Sequence, residues 1–150
     1  GIYLPSAVKE NLDVLCCCDC SGSIDYSDKG EGGKFIAEAV SIIKAFNQVK
    51  MRFIWWDTEV LESNDIVVDN NNYMDVVNHR PKGGGGTSLS CVSEYLKNKD
   101  YQYKLCIILT DGHIESKPVL PNGNILFLLS RDGNDSIVKK YGKVIRLRSN

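Results

Sequence analysis

The chain has 150 residues, 43% of them hydrophobic and 25% charged, with a formal net charge of -1. That length and balance suit a single globular domain over residues 1–150 with room for a buried sheet, and they exclude a disordered chain. No basic surface of the kind nucleic acid needs is evident, and no apolar stretch is long enough to span a bilayer.

Residues 1–9 lack the basic start and apolar block of a leader peptide. A chain that begins with Gly reads as an excised C-terminal fragment of a longer protein. Residues 14–18 form an apolar run ending at Asp19, the pattern of a strand buried on both faces. Cys16, Cys17 and Cys18 lie in it. With Cys20, Cys91 and Cys106 they make neither a spaced disulfide framework nor the paired CxxC of a zinc site. They read as small buried hydrophobes in a reducing, cytoplasmic setting. Cys20 differs, because it lies in the loop after the strand, where its oxidation would disturb the turn.

Residues 34–49 carry Phe35, Ile36, Ala39, Val40, Ile43 and Phe46 mostly at helical spacing. Residues 51–56 read as a second strand. Residues 58–62 read as a third, paired back by a tight connection, with residues 66–68 continuing that edge. Trp55 and Trp56 alternate, so one ring belongs to the core and one is partly exposed as a candidate anchor for a partner. The run Asn70-Asn71-Asn72 is turn-prone, and residues 73–78 suit a short helix. Pro81 and residues 83–86, all Gly, form a loop of high backbone freedom. Residues 88–97 read as a helix, and residues 103–109, 125–129 and 144–147 as strands. Ser130-Arg131-Asp132-Gly133 is a turn. Strands alternating with helices indicate an α/β fold: a doubly wound, mostly parallel central sheet with helices on both faces.

Two strands end in an aspartate followed by small residues, at Asp19-Cys20-Ser21-Gly22-Ser23 and at Thr110-Asp111-Gly112. In open α/β sheets ligands gather at the carboxyl ends of strands, so both aspartates should reach one edge. Asp19, Ser21 and Ser23 offer a carboxylate and two hydroxyls from one turn. Thr87 adds a hydroxyl and Asp111 a second carboxylate. With water this is a hard, all-oxygen set suited to Mg²⁺ or Mn²⁺, with Ca²⁺ as a substitute. Each piece alone is an ordinary turn or cap; their order and their placement at element boundaries favour a cation site. Asp57, at another strand end, reads equally as a second acceptor near the ion or as a surface turn. Asp25 reads as a solvated helix-start acid rather than a residue that steers cations, and His113 as an exposed loop residue rather than a border of the site.

These motifs resemble the von Willebrand factor A (VWA) domains and their metal ion-dependent adhesion site (MIDAS), whose DxSxS, later Thr and later Asp fall on Asp19, Ser21, Ser23, Thr87 and Asp111. The resemblance is closer to bacterial and phage VWA-like domains that follow a metallopeptidase-like region. It rests on Asp57-Thr58-Glu59-Val60, on the glycine run ending at Thr87, and on Lys143-Val144-Ile145-Arg146-Leu147. It covers nearly all of the chain from Asn11. Cys20 departs from it without touching a ligand position. The resemblance implies that Asp19, Ser21 and Ser23 contact the ion directly or through water and that Thr87 and Asp111 complete the site. It also implies an open position for an Asp or Glu of a partner protein, and a MoxR-type AAA+ ATPase as that partner. The glycine run would let Thr87 approach or leave the ion.

Three other readings compete. A metal-dependent hydrolase or phosphotransferase of the haloacid dehalogenase type needs a second acid two residues after its nucleophile, and Ser21 stands there. No activated base is evident, and His79 and His113 form no HExxH helix. The glycine run lacks the Gly-Lys-Ser/Thr ending of a phosphate loop, and no GxGxxG follows the first strand. A metal-free scaffold with a degenerate site stays open. The expected function is a non-enzymatic, cation-dependent protein-interaction module.

Overall fold

The computed structural model describes residues 12–27, 30–77 and 81–148. The chain start before Leu12, the end of the expected short helix at Asn78, and His79 lie outside the described residues. The elements run β1 (Leu12–Asp19), α1 (Glu31–Ala45), β2 (Val49–Trp56), β3 (Ile66–Asp69), α2 (Met74–Val77), α3 (Ser90–Leu96), β4 (Leu105–Thr110), β5 (Ile125–Leu129) and β6 (Lys143–Arg146).

The six strands form one sheet in the order β3-β2-β1-β4-β5-β6. All neighbours pair parallel except β2 with β3. The two innermost strands carry continuous apolar runs, residues 14–18 of β1 and 105–109 of β4, because both faces are covered. Successive side chains alternate between two layers. Cys16, Cys18, Phe53, Trp55, Ile107 and Leu109 face Phe35, Ile36, Ala39 and Ile43 of α1 and Val76 of α2. Leu15, Cys17, Ile54, Trp56, Cys106, Ile108 and Phe127 face Leu89 and Val92 of α3 and Val138 of a short 3-10 turn. The expected doubly wound α/β architecture is therefore observed.

Three expectations need correction. No strand occupies residues 58–62. Asp57 folds the chain back locally, accepting the Glu59 amide at 3.1 Å on its Oδ1 while its own amide donates to the Glu59 carbonyl. Only the isolated bridge Trp56–Val60 and a 3-10 turn at Glu62–Asn64 follow, and the antiparallel edge is β3. The first helix stops at Ala45 rather than Val49. Asn70 donates to the carbonyls of Ile43 and Phe46, satisfying the helix end, and accepts the Val49 amide that begins β2. Finally, neither tryptophan is exposed. Both are fully buried, one in each layer, with Trp55 stacked on Phe53 at a centroid distance of 5.7 Å.

The docking of α1 gives a direct test. Phe35→Ala, removing a fully buried ring, should cost about 3–5 kcal/mol in urea unfolding. Val119→Ala, at an exposed position, should change stability by less than about 0.5 kcal/mol.

Candidate metal centre

The order of strands changes direction at β1: its sequence successor β2 lies on one side and β4 on the other. Such a switch point opens a crevice at the carboxyl ends of the two strands. The register places Cys18 beside Leu109 of β4 and Asp19 beside Trp56 of β2. Asp19 and Asp111 therefore emerge next to each other.

Asp19 is fully buried and both its oxygens are engaged. Its Oδ1 accepts the Ser21 amide at 2.9 Å, and its Oδ2 accepts the Thr110 hydroxyl at 2.7 Å. Thr110 in turn accepts the Gly112 amide at 3.1 Å. The Tyr26 hydroxyl donates to the Asp19 carbonyl at 2.6 Å. Ser23 donates to Asp111 Oδ2 at 2.6 Å, and its oxygen lies 3.3 Å from that of Ser21. Asp111 Oδ1 accepts the His113 amide at 3.1 Å. Asp19, Ser21, Ser23 and Asp111 thus form one connected polar cluster.

Thr87 reaches this edge by another route. Gly84 donates to the Cys20 carbonyl at 2.9 Å and Gly22 to the Gly85 carbonyl at 3.0 Å. Asp57 accepts the Gly85 amide on Oδ2 at 3.3 Å and the Ser88 amide on its carbonyl at 2.8 Å. The glycine run is thus fastened across the β1 and β2 loops. Gly83 packs so closely that an added Cβ would lie 2.3 Å from the Cys20 carbonyl oxygen, and Gly84 has a φ of +112°, a conformation that glycine alone adopts freely. Thr87 is half-buried between these anchors, and its hydroxyl joins none of the hydrogen bonds among Asp19, Ser21, Ser23 and Asp111.

The electrostatics are one-sided. Burial pushes the Asp19 carboxyl above its ordinary value; hydrogen bonds from Ser21 and Thr110 pull it back, and the Asp111 charge pushes it up again. Neither Asp19 nor Asp111 forms an ion pair with a basic side chain among the described residues. Two adjacent carboxylates without a cationic partner, flanked by hydroxyls, fit a hard divalent cation. No group of three His, Cys, Asp or Glu is placed to hold a metal among the described residues. The candidate donors differ from such a group, being two carboxylates with three hydroxyls.

The structure also revises the surroundings. Asp57 spends its carboxylate on Glu59 and Gly85, which makes it a fastener of the glycine run. Cys20 is buried, its thiol donating to the Trp56 carbonyl at 3.3 Å, and burial pushes its pKa to about 12. It is therefore a poor target for oxidation rather than the weak point of the turn. Asp25 is exposed, with both oxygens on Ser27, whose hydrogen bonds hold its pKa down. His113 is exposed and meets the cluster only through its amide.

Three participants escaped sequence reasoning: Thr110, Tyr26 and Glu115. Glu115 accepts the amides of Leu89 and Ser90 at 2.8 and 2.9 Å and the Ser88 hydroxyl at 3.2 Å. Burial raises its pKa, but the hydrogen bonds from Ser90 and Leu89 outweigh that and hold the carboxyl below its usual value. Thr110 alone carried a signal, since it pairs in rank with Asp19 as the last residue of its strand.

Comparison with known proteins places these features. The family model described as VWA-like domain (DUF2201) matches residues 14–148. No curated protein matches the chain. A von Willebrand factor type A structure from Catenulispora acidiphila superposes with a TM-score of 0.65 at 18% identity, covering 93% of this chain and 39% of that one. An aerotolerance-related membrane protein from Bacteroides fragilis NCTC 9343, solved with multiple mutations to serines, gives 0.61 at 12% identity, covering 91% and 92%. The conserved hypothetical protein BatB from Bacteroides thetaiotaomicron gives 0.61 at 11%, covering 93% and 91%. At such identities the likeness to these structures is one of fold. Among the described residues no helix is long and apolar enough to cross a membrane. Since the family model spans nearly all of the sequence, the chain belongs to the VWA-like domain family DUF2201.

Proposed function

We propose that the chain is a cation-dependent protein-interaction module. A divalent cation, Mg²⁺ with Mn²⁺ or Ca²⁺ as substitutes, is held by Asp19, Ser21, Ser23, Thr87 and Asp111 in the manner of a MIDAS. The VWA-like fold supports the interaction role. The observation that carries the cation is the convergence of Asp19 and Asp111 through Ser21 and Ser23, with no basic side chain in an ion pair with either among the described residues.

When bound, the ion would take five donors from this chain and offer a sixth, open position to a further hard oxygen ligand. The chain's own contribution is to hold the ligands. Thr110 and the Ser21 amide orient Asp19, the His113 amide and Ser23 orient Asp111, and the fastened glycine run delivers Thr87. An Asp or Glu of a partner protein then completes the site through a directional, charge-assisted contact. We infer a MoxR-type AAA+ ATPase as that partner, with the domain working beside a metallopeptidase-like region. The cysteines are unbonded, and Cys16, Cys17, Cys18 and Cys106 are fully buried, which supports a reducing compartment and a cytoplasmic placement.

Titration calorimetry with Mn²⁺ should show one site, weakened roughly 10-fold or more by Ser23→Ala and by Asp111→Ala. Capture of the ATPase should require Mg²⁺ and be lost with chelator or with Asp19→Ala. Equal capture with and without chelator would establish the metal-free scaffold instead.

The ion-free protein should carry a pH signature. A carboxyl whose pKa is raised on folding binds more protons in the native state, so stability falls as pH rises through the native value. In chelator, the wild type should therefore gain melting temperature as pH drops through the raised Asp19 pKa, and Asp19→Asn should lack that gain. Identical pH profiles for the two proteins would contradict the electrostatic account of Asp19.

A further inference from the structure

The cation reading takes four ligands from two strand ends and the fifth, Thr87, from a segment belonging to neither. What holds that segment matters, because an ion binds only the fraction of molecules whose ligands are in place. If loosening leaves one molecule in ten competent, apparent affinity falls about 10-fold.

The segment just after Thr87 begins α3, whose first amides need acceptors. Cys91 and Val92 donate to the carbonyls of Ser88 and Leu89, but Leu89 at the N-cap position makes no side-chain cap, so the amides of Leu89 and Ser90 need acceptors from elsewhere. Glu115 fills that role from another loop. Its Oε1 takes the Leu89 amide at 2.8 Å, and its Oε2 takes the Ser90 amide at 2.9 Å and the Ser88 hydroxyl at 3.2 Å. These are charge-assisted bonds, stronger than neutral ones, and they land on the three residues that follow Thr87. Glu115 sits four residues after Asp111. The same loop is tied down further along, where the Val119 amide donates to Ser90 Oγ at 2.8 Å and Ser93 donates to the Val119 carbonyl at 2.7 Å. On the opposite side, Asp57 grips Gly85 and Ser88.

We infer that Glu115 is a positioning residue of the cation site, fixing Thr87 relative to Asp111 without touching the ion. This rests on the cation reading above. It makes the affinity of the site depend on a carboxylate outside the ligand set, whereas a plain helix cap would affect only the stability of α3.

A double-mutant cycle separates the two roles. Mn²⁺ is titrated by calorimetry into wild type, Glu115→Gln, Thr87→Ala and the double variant. Gln keeps the size of the side chain but replaces one acceptor oxygen by a donor amide. Glu115→Gln should bind about 10-fold more weakly, and amide exchange at Leu89 and Ser90 should quicken. In the Thr87→Ala background the second change should add nothing. Ser88→Ala, which removes a single bond, should weaken binding about threefold and decides the matter if Glu115→Gln fails to fold. Unchanged Mn²⁺ affinity in both variants, or effects of Glu115→Gln and Thr87→Ala that multiply, overturns the positioning role. Failure of the wild type to take up Mn²⁺ overturns the cation reading itself, and Glu115's part in it.

Discussion

Asp19 ends β1 and Asp111 follows the last residue of the neighbouring parallel strand β4, so the register of the two strands brings both to one edge. A slip of one residue would turn every side chain of β1 to the opposite layer, which two packed faces forbid. The carboxylates are therefore locked into proximity by the core, and the loops above must accommodate them. Thr110, the Ser21 amide and the His113 amide each donate to one of the pair. Hydrogen bonds of this kind moderate the repulsion but do not neutralise it.

The cluster therefore sets local cost against function. A buried carboxyl held near a like charge is unfavourable in the isolated chain, and the sheet beneath it, sealed by helices on both faces, provides the stability that permits it. Such local conflict within an otherwise consistent fold is what binding sites commonly show.

Much of this was legible in the sequence, for physical reasons. Continuous apolar runs ending in aspartate identify buried parallel strands, so the mostly parallel sheet and the arrival of Asp19 and Asp111 at one edge could be read directly. Residues 58–62 misled because Thr, Val and Leu carry strand character, while the turn made by Asp57 with Glu59 is a local side-chain choice that periodicity does not register. The tryptophans misled because alternation places a ring on each face but does not say whether the second face is covered. Asn70 and Glu115 were invisible for a shared reason. Each satisfies backbone groups far away in sequence, at the end of α1 and at the start of α3, and no local pattern announces such a partnership. Thr87 was singled out by motif alone, and its surroundings could be seen only in three dimensions.

The four consecutive glycines have a consequence for anyone redesigning this edge. Such runs are usually treated as interchangeable spacer, open to mutagenic libraries or to replacement by serine. Here the positions differ, each for its own reason. A Cβ would strike the Cys20 backbone at Gly83, meet a forbidden backbone angle at Gly84, crowd the Asp57 oxygen that binds the amide at Gly85, and press on the Thr58 methyl at Gly86. The stretch is solvent-exposed yet uneven in tolerance: Gly83 and Gly84 should resist substitution, whereas at Gly85 and Gly86 a neighbouring side chain need give only slightly.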